Sequence, residues 1–223
     1  MEAVAFKDAT RAQFSLLAPT EKRALHWLAR RMPAWVGPDH LTLLGFAAML
    51  LAGLCYYLSQ WSPSWLHLVN LTLAVNWFGD SLDGTLARYR NKQRPRYGFY
   101  VDHIIDAFST LSIFGGLALS GYMSERIALG LLIVYFMASI NVYLATYTMG
   151  TFRLSFWKLS PTEGRLILAL GNLVVCYHPH ILLQGHPYLL YDIGGVALLA
   201  VLVLILIGSV VRNTLILYRA ERV

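Results

Sequence analysis

Charge is scarce in this 223-residue chain: Lys, Arg, Asp and Glu make up 13% of it, against 57% hydrophobic residues. A soluble domain of this length carries nearly twice that charge, so the composition argues against a soluble globular fold. Cysteine is scarcer still. Cys55 and Cys176 each sit inside an apolar run, which reads as two buried thiols and leaves no disulfide framework. Residues 1–17 hold Lys7 and Arg11 but no unbroken apolar stretch before a small-residue cleavage site, so no cleavable signal is expected. Low-complexity tracts and internal repeats are also missing. The net charge of +6 does not point to nucleic acid, because the basic residues fall in short loops between apolar segments. Attraction to anionic lipid or to a phosphorylated substrate fits them better.

What the chain does have is long apolar runs. Six segments of near-spanning length are expected at 41–60, 65–87, 99–121, 127–149, 164–183 and 193–215. Pro63, Gly121, Pro161, Pro179 and Pro187 mark the turns between them. The fold class is therefore all-α: a polytopic membrane protein with six transmembrane helices, residues 38–223, behind a cytoplasmic or interfacial region, residues 1–37. Within that region, Pro19 to Trp35 reads as an amphipathic helix in the headgroup layer. Thr20 is its expected N-cap, and Ala24, Leu25, Trp27, Leu28 and Met32 form an apolar face away from Lys22, Arg23, Arg30 and Arg31. If alternate loops are assigned to opposite sides, every Lys and Arg except Arg126 falls on one side. The positive-inside rule makes that side cytoplasmic, with both termini on it.

Two of these segments carry what a membrane helix should lack. Asp80 and Asp83 lie near the end of the second, Asp102 and Asp106 near the start of the third. A carboxylate at a helix centre costs about 2.5–3.5 kcal/mol on insertion scales, so four of them demand a compensating charge. Spacings of three and four put each pair on one helix face, and the short loop suggests antiparallel neighbours with the pairs facing. Such oxygen ligands suit a hard cation, Mg²⁺ or Mn²⁺, shared with a substrate phosphate. A structural ion network is the plainer alternative. Gly84 and Gly98 leave room for a ligand or another backbone. Arg88, one turn from Gly84, can grip a phosphate in a fork, or can simply be an arginine reaching up to the membrane surface.

The residues D-G-x-x-A-R from Asp83 to Arg88, then G-x-x-x-D-x-x-x-D from Gly98 to Asp106, with Asp80 three residues ahead, resemble the signature of the CDP-alcohol phosphotransferase family. The interfacial helix is also a family feature, and P-D-H-L-T at Pro38–Thr42 is similar to the family's Pro-Asn-x-x-Thr. Two departures stand out: nine residues separate Arg88 from Gly98 instead of eight, and Asp39 replaces Asn. The resemblance implies an enzyme of phospholipid biosynthesis that moves a phospho-alcohol from a CDP-alcohol to an acceptor hydroxyl, releasing CMP. It implies two divalent ions on Asp80, Asp83, Asp102 and Asp106, with Asp106 as general base. Asp80, Asp83, Gly84, Ala87, Arg88 and Gly98 would line the nucleotide. It also implies a homodimer.

The substrates are less legible. Asp102-His103 and Thr162-Glu163-Gly164 resemble stretches of the choline and ethanolamine phosphotransferases, which would make diacylglycerol the acceptor; read plainly, His103 is a headgroup-level histidine and Thr162 a helix cap. The chain's length is more like members that use CDP-diacylglycerol and a small polar acceptor, and the reading leans that way, with Arg153, Lys158 and His103 as acceptor-binding candidates. Of a different class, a divalent-cation or proton carrier would also place carboxylates in the membrane. Against it, the four cluster near one face instead of tracing a path. Asn141 and Tyr143 are expected to bond between helices, and Gly115-Gly116 to permit close helix packing. His178, His180 and His186 are read as loop histidines.

Overall fold

The computed structural model describes residues 18–149 and 161–221. Seven helices and one hairpin are present among them, in the order α1 (Ala18–Arg31), α2 (Pro38–Leu58), α3 (Trp65–Tyr89), α4 (Pro95–Leu119), α5 (Glu125–Met149), α6 (Pro161–Tyr177), β1 (His180–Leu183), β2 (His186–Leu189) and α7 (Leu190–Ala220). Helices α2 to α7 correspond one by one to the six expected segments. Among the described residues, α2, α5 and α7 are long and apolar enough by length and composition to cross a membrane. Helix α6 has only 17 residues, about 26 Å at 1.5 Å each. Helices α3 and α4 dilute their apolar faces with the carboxylates.

The fifth segment stops short for a reason that hydropathy does not reveal. The chain turns back at Gln184-Gly185, both at positive φ (51° and 83°), as a two-residue hairpin of the primed type requires. His180 pairs with Leu189 and Leu183 with His186, so residues 180–183, expected in a helix, form a strand. Histidines 180 and 186 stand at opposite ends of the ladder. At the other end of the chain, α1 begins at Ala18, so Thr20 lies inside the helix and is not its cap.

The larger packed core lies at one end of the bundle, and a smaller one, of Leu25, Ala29, Val36, Leu41, Leu82 and Leu86, lies at the other. Ala52, Cys55 and Tyr56 of α2, Leu66, Val69 and Leu73 of α3, Ile113 and Leu117 of α4, Ala128 and Leu131 of α5 and Val175 of α6 form one buried core. All lie toward the end that holds the α2–α3 turn, the α4–α5 turn and the hairpin. A polar knot ties the same region together: Asn172 Oδ1 accepts from Tyr56 Oη (2.8 Å) and Tyr191 Oη (2.5 Å), while its Nδ2 donates to Asn70 (2.8 Å). With its hydrogen bonds satisfied, such a knot can be buried without penalty. Asn141 does bond between helices, to Ser209 of α7 at 2.9 Å. Both cysteines are free. Cys55 is buried as expected, but Cys176 is only half so, its sulfur 3.7 Å from His67.

Helix α2 is the wedge of the fold, and both α3 and α4 pack most closely onto it. Two glycine crossings make this possible. A Cβ on Gly79 would come within 2.5 Å of the Leu41 carbonyl, and one on Gly116 within 2.2 Å of the Gly53 carbonyl. Backbone therefore lies on backbone at both points, an approach that side chains forbid. The expectation that α3 and α4 pair directly is corrected: among the described residues both pack chiefly on α2. In α4 no residue is buried ahead of Ser109.

Candidate active site

The acidic residues stand at the end opposite the larger core. Asp80 and Asp83 occupy the last turns of α3, Asp102 and Asp106 the first turns of α4. The charges of Asp80 and Asp102 are both felt at the Asp83 carboxyl, which places these three acids in one electrostatic neighbourhood. Asp106 acts on Tyr135 and Tyr143 of α5. Two of the acids have named partners. Asp83 Oδ2 accepts from Thr42 Oγ1 at 2.6 Å, and its Oδ1 from the Gly84 N–H. Thr42 has a single hydroxyl hydrogen, and this contact takes it in preference to the 3.1 Å approach to the Pro38 carbonyl. Asp80 pairs with Arg165 at 2.5 Å, the arginine 17% and the aspartate 43% exposed.

Arg165 is a candidate site residue that the sequence motifs do not single out. By the distribution of charge it is only one more cytoplasmic cation, although its place near the start of an apolar helix, just after Thr-Glu-Gly, is a usable signal. Arg88 is exposed, its guanidinium folded over Gly84 and donating to Thr85 Oγ1 at 3.3 Å. A Cβ at Gly84 would meet only the Arg88 side chain, at 3.5 Å, and one at Gly98 would meet nothing within 4 Å. Among the described residues, neither glycine serves packing. Ala87 is half-buried beside them. His103 packs against Phe99 (4.2 Å between ring centroids) and edge-on to Tyr143 (5.3 Å). Arg153 and Lys158 lie outside the described residues.

The two departures from the expected signature meet each other. Arg94, in the longer loop, forms an ion pair with Asp39 and lies over the Tyr97 ring. The loop turns at Asn91, in the left-handed region (φ 53°). Arg90 fixes the other side. Its guanidinium donates to the carbonyls of Met32 (3.1 Å), Pro33 (2.8 Å) and Val36 (2.5 Å) in the α1–α2 linker. An asparagine at position 39 could not pair Arg94 by charge.

Comparison with known proteins now bears on this geometry. The sequence pattern of the CDP-alcohol phosphatidyltransferase family matches residues 35–218. The chain belongs to that family. It is similar to the archaetidylinositol phosphate synthase of Pyrococcus horikoshii, 33% identical over 135 residues, covering 60% of this chain and 65% of the relative. It is also similar to the cholinephosphotransferase of Bos taurus, 30% identical over 173 residues, 72% of this chain but 41% of that one. The matches thus span less than two thirds of these relatives. A crystal structure of Mycobacterium tuberculosis phosphatidylinositol phosphate synthase with CDP-DAG bound superposes with a TM-score of 0.55 at 22% identity, covering 88% of this chain and 92% of that one. That likeness is one of fold.

The family is in general dependent on a divalent metal. The donors here fit such an ion in chemistry: carboxylate oxygens from two helices, without a thiolate or imidazole among them. They do not yet form a cage. Among the described residues, no three acid, imidazole or thiol groups stand together in a metal-holding arrangement, with Asp80 turned to Arg165 and Asp83 to Thr42. An ion held there would share the Asp80 carboxylate with Arg165 or displace the arginine from it.

Proposed function

We propose that this chain is an integral-membrane transferase that moves a phospho-alcohol from a CDP-alcohol to an acceptor hydroxyl with release of CMP. The observation that carries the reading is the family signature, Asp83 to Asp106, lying on the ends of α3 and α4, which both pack on α2; this end is taken as the mouth of the site. All six helices α2–α7 cross the membrane, with both termini and the mouth on the cytoplasmic side, as the placement of Lys and Arg favours. Residues 38–223 form the transmembrane domain and 1–37 its interfacial region. The chain functions as a homodimer.

In the reaction, the acceptor oxygen forms a bond to the donor's alcohol-side phosphorus while the bond from that phosphorus to the CMP oxygen breaks. CMP leaves with the bonding electrons, and the acceptor's proton passes to a carboxylate oxygen of Asp106. Asp80, Asp83 and Asp102, with Asp106 at the margin, would hold Mg²⁺ or Mn²⁺, two ions in this reading. Bound there, the ions supply the charge that neutralises the diphosphate. Thr42 keeps Asp83 in one rotamer. Gly84, Ala87 and Gly98 let the nucleotide lie against the backbone, and Arg88 unfolds from Thr85 to take a phosphate oxygen. Replacing Arg88 by Ala removes a charge-assisted bond of about 1.5–3 kcal/mol. The donor KM should rise roughly ten- to a hundredfold with little change in kcat; an unchanged KM would contradict the clamp.

The donor is taken to be CDP-diacylglycerol, with a small polar acceptor received near Arg153, Lys158 and His103. The second reading, CDP-choline or CDP-ethanolamine with diacylglycerol, is favoured by the His103–Tyr143 contact beside Asp102 and by the cholinephosphotransferase likeness. Incubating the purified chain and Mg²⁺ with each labelled donor against a panel of acceptors, and following CMP, decides between them. CMP released from one donor class alone identifies it. Cation flux through proteoliposomes without CMP release from any donor would overturn the transferase and revive the carrier.

A further inference from the structure

The Asp80–Arg165 pair joins two helices, α3 and α6, and a third element grips both of them just beside it. Glu21, half-buried on α1, presents Oε1 to Trp77 Nε1 at 2.8 Å and to Thr162 Oγ1 at 2.7 Å, with Ser81 Oγ at 3.5 Å. Trp77 precedes Asp80 by three residues and Ser81 follows it directly. Thr162 precedes Arg165 by three. One carboxylate oxygen therefore ties the α3 turn that carries Asp80 to the first α6 turn, which carries Arg165. The remainder of α1 supports this grip: Leu25 and Ala29 are buried against Leu82 and Leu86 of α3, while Lys22, Arg23, Arg30 and Arg31 face outward. A helix that only floated among headgroups would have no use for an inward acid bonded to two other helices.

We infer that Glu21 is a positioning residue of the transferase site: docked through it, α1 sets the spacing of α3 and α6, and with it the placement of Asp80 and Arg165 toward the donor's phosphates. This rests on the proposed function for its kinetic part. The bonds need an acceptor oxygen at position 21 more than a charge, since the glutamine carbonyl can accept from both the indole and the hydroxyl. Helix α6 packs chiefly on α3 and only lightly on α7, and in its first turns the Thr162–Glu21 and Arg165–Asp80 bonds add to that packing.

The test uses the full chain in proteoliposomes, with Glu21→Ala, Glu21→Gln and the double variant Trp77→Phe, Thr162→Val. Glu21→Ala should raise the donor KM about tenfold while kcat stays within roughly threefold. Glu21→Gln should recover most of the loss, and the double variant should match Glu21→Ala without adding to it when the two are combined. Independently of activity, trypsin should cut at Lys22–Arg31 several-fold faster in Glu21→Ala, and at the wild-type rate in Glu21→Gln. A wild-type donor KM in Glu21→Ala, or a Glu21→Gln variant as impaired as Glu21→Ala, overturns the inference. So does a KM effect with unchanged trypsin resistance. If the wild-type chain releases no CMP from any donor, the proposed function fails, and the docking of α1 through Glu21 stands or falls on the trypsin result.

Discussion

Replacing Asp106 by Asn should lower kcat by about a hundred- to ten-thousandfold, the range lost when a general base is removed, while donor affinity should stay near that of the wild type. The substitution keeps shape and volume nearly unchanged but removes the negative charge and, with it, the ability to take a proton. The placement of Asp106 explains why binding should survive. It lies one helical turn beyond Asp102, exposed, and acts electrostatically on Tyr135 and Tyr143 of α5, whereas Asp80 and Asp102 act on Asp83. It thus borders the side of the mouth next to α5, where an acceptor can approach. Single-turnover CMP release and equilibrium donor binding, measured together, check the assignment. Excess Mg²⁺ should not rescue the variant. Rescue by metal would make Asp106 a ligand instead, and full activity would remove it from the chemistry.

Gly116→Leu should unfold or severely destabilise the bundle, and Gly115→Leu should not. The two positions are adjacent on α4, yet a Cβ at Gly116 would strike the Gly53 carbonyl at 2.2 Å, while one at Gly115 meets nothing within 4 Å. The obstacle at Gly116 is backbone, which cannot rotate aside as a side chain does. Overpacking commonly costs about 1–3 kcal/mol where side chains can adjust, and here the loss should reach or exceed the top of that range. Thermal unfolding in detergent distinguishes the two variants. If Gly115 faces a second copy of the chain, its leucine variant keeps its Tm and loses only the dimer, which size-exclusion chromatography reads separately. Equal stability of the two variants would contradict the α2–α4 crossing.

Much of the molecule could be read from residues alone because two strong constraints act locally. Apolar runs near twenty residues have few places to go other than a bilayer or a large core, so six helical segments were recognisable, with ends displaced by a few residues. Four acids in such runs are too unfavourable to be incidental. The hairpin at 180–189 escaped because it depends on the backbone of Gln184 and Gly185 within an otherwise apolar stretch. Thr42, singled out only as part of a resemblance, proved to be the donor to Asp83. Arg165 and Glu21 escaped because their partners, Asp80, Trp77 and Thr162, are 56 to 141 positions away.

By itself the sequence determined the membrane setting, the helical class, the family, and which acids gather at one end of α3 and α4, since hydropathy and side-chain spacing on a helix are properties of neighbouring residues. The tertiary structure decided that both helices pack on α2, that glycines let backbone lie on backbone at the two crossings, and that Arg165 and Glu21 close on α3 from α6 and α1. Those outcomes follow from which backbones can approach most closely. Such steric fits between distant segments exist only once the helices are packed.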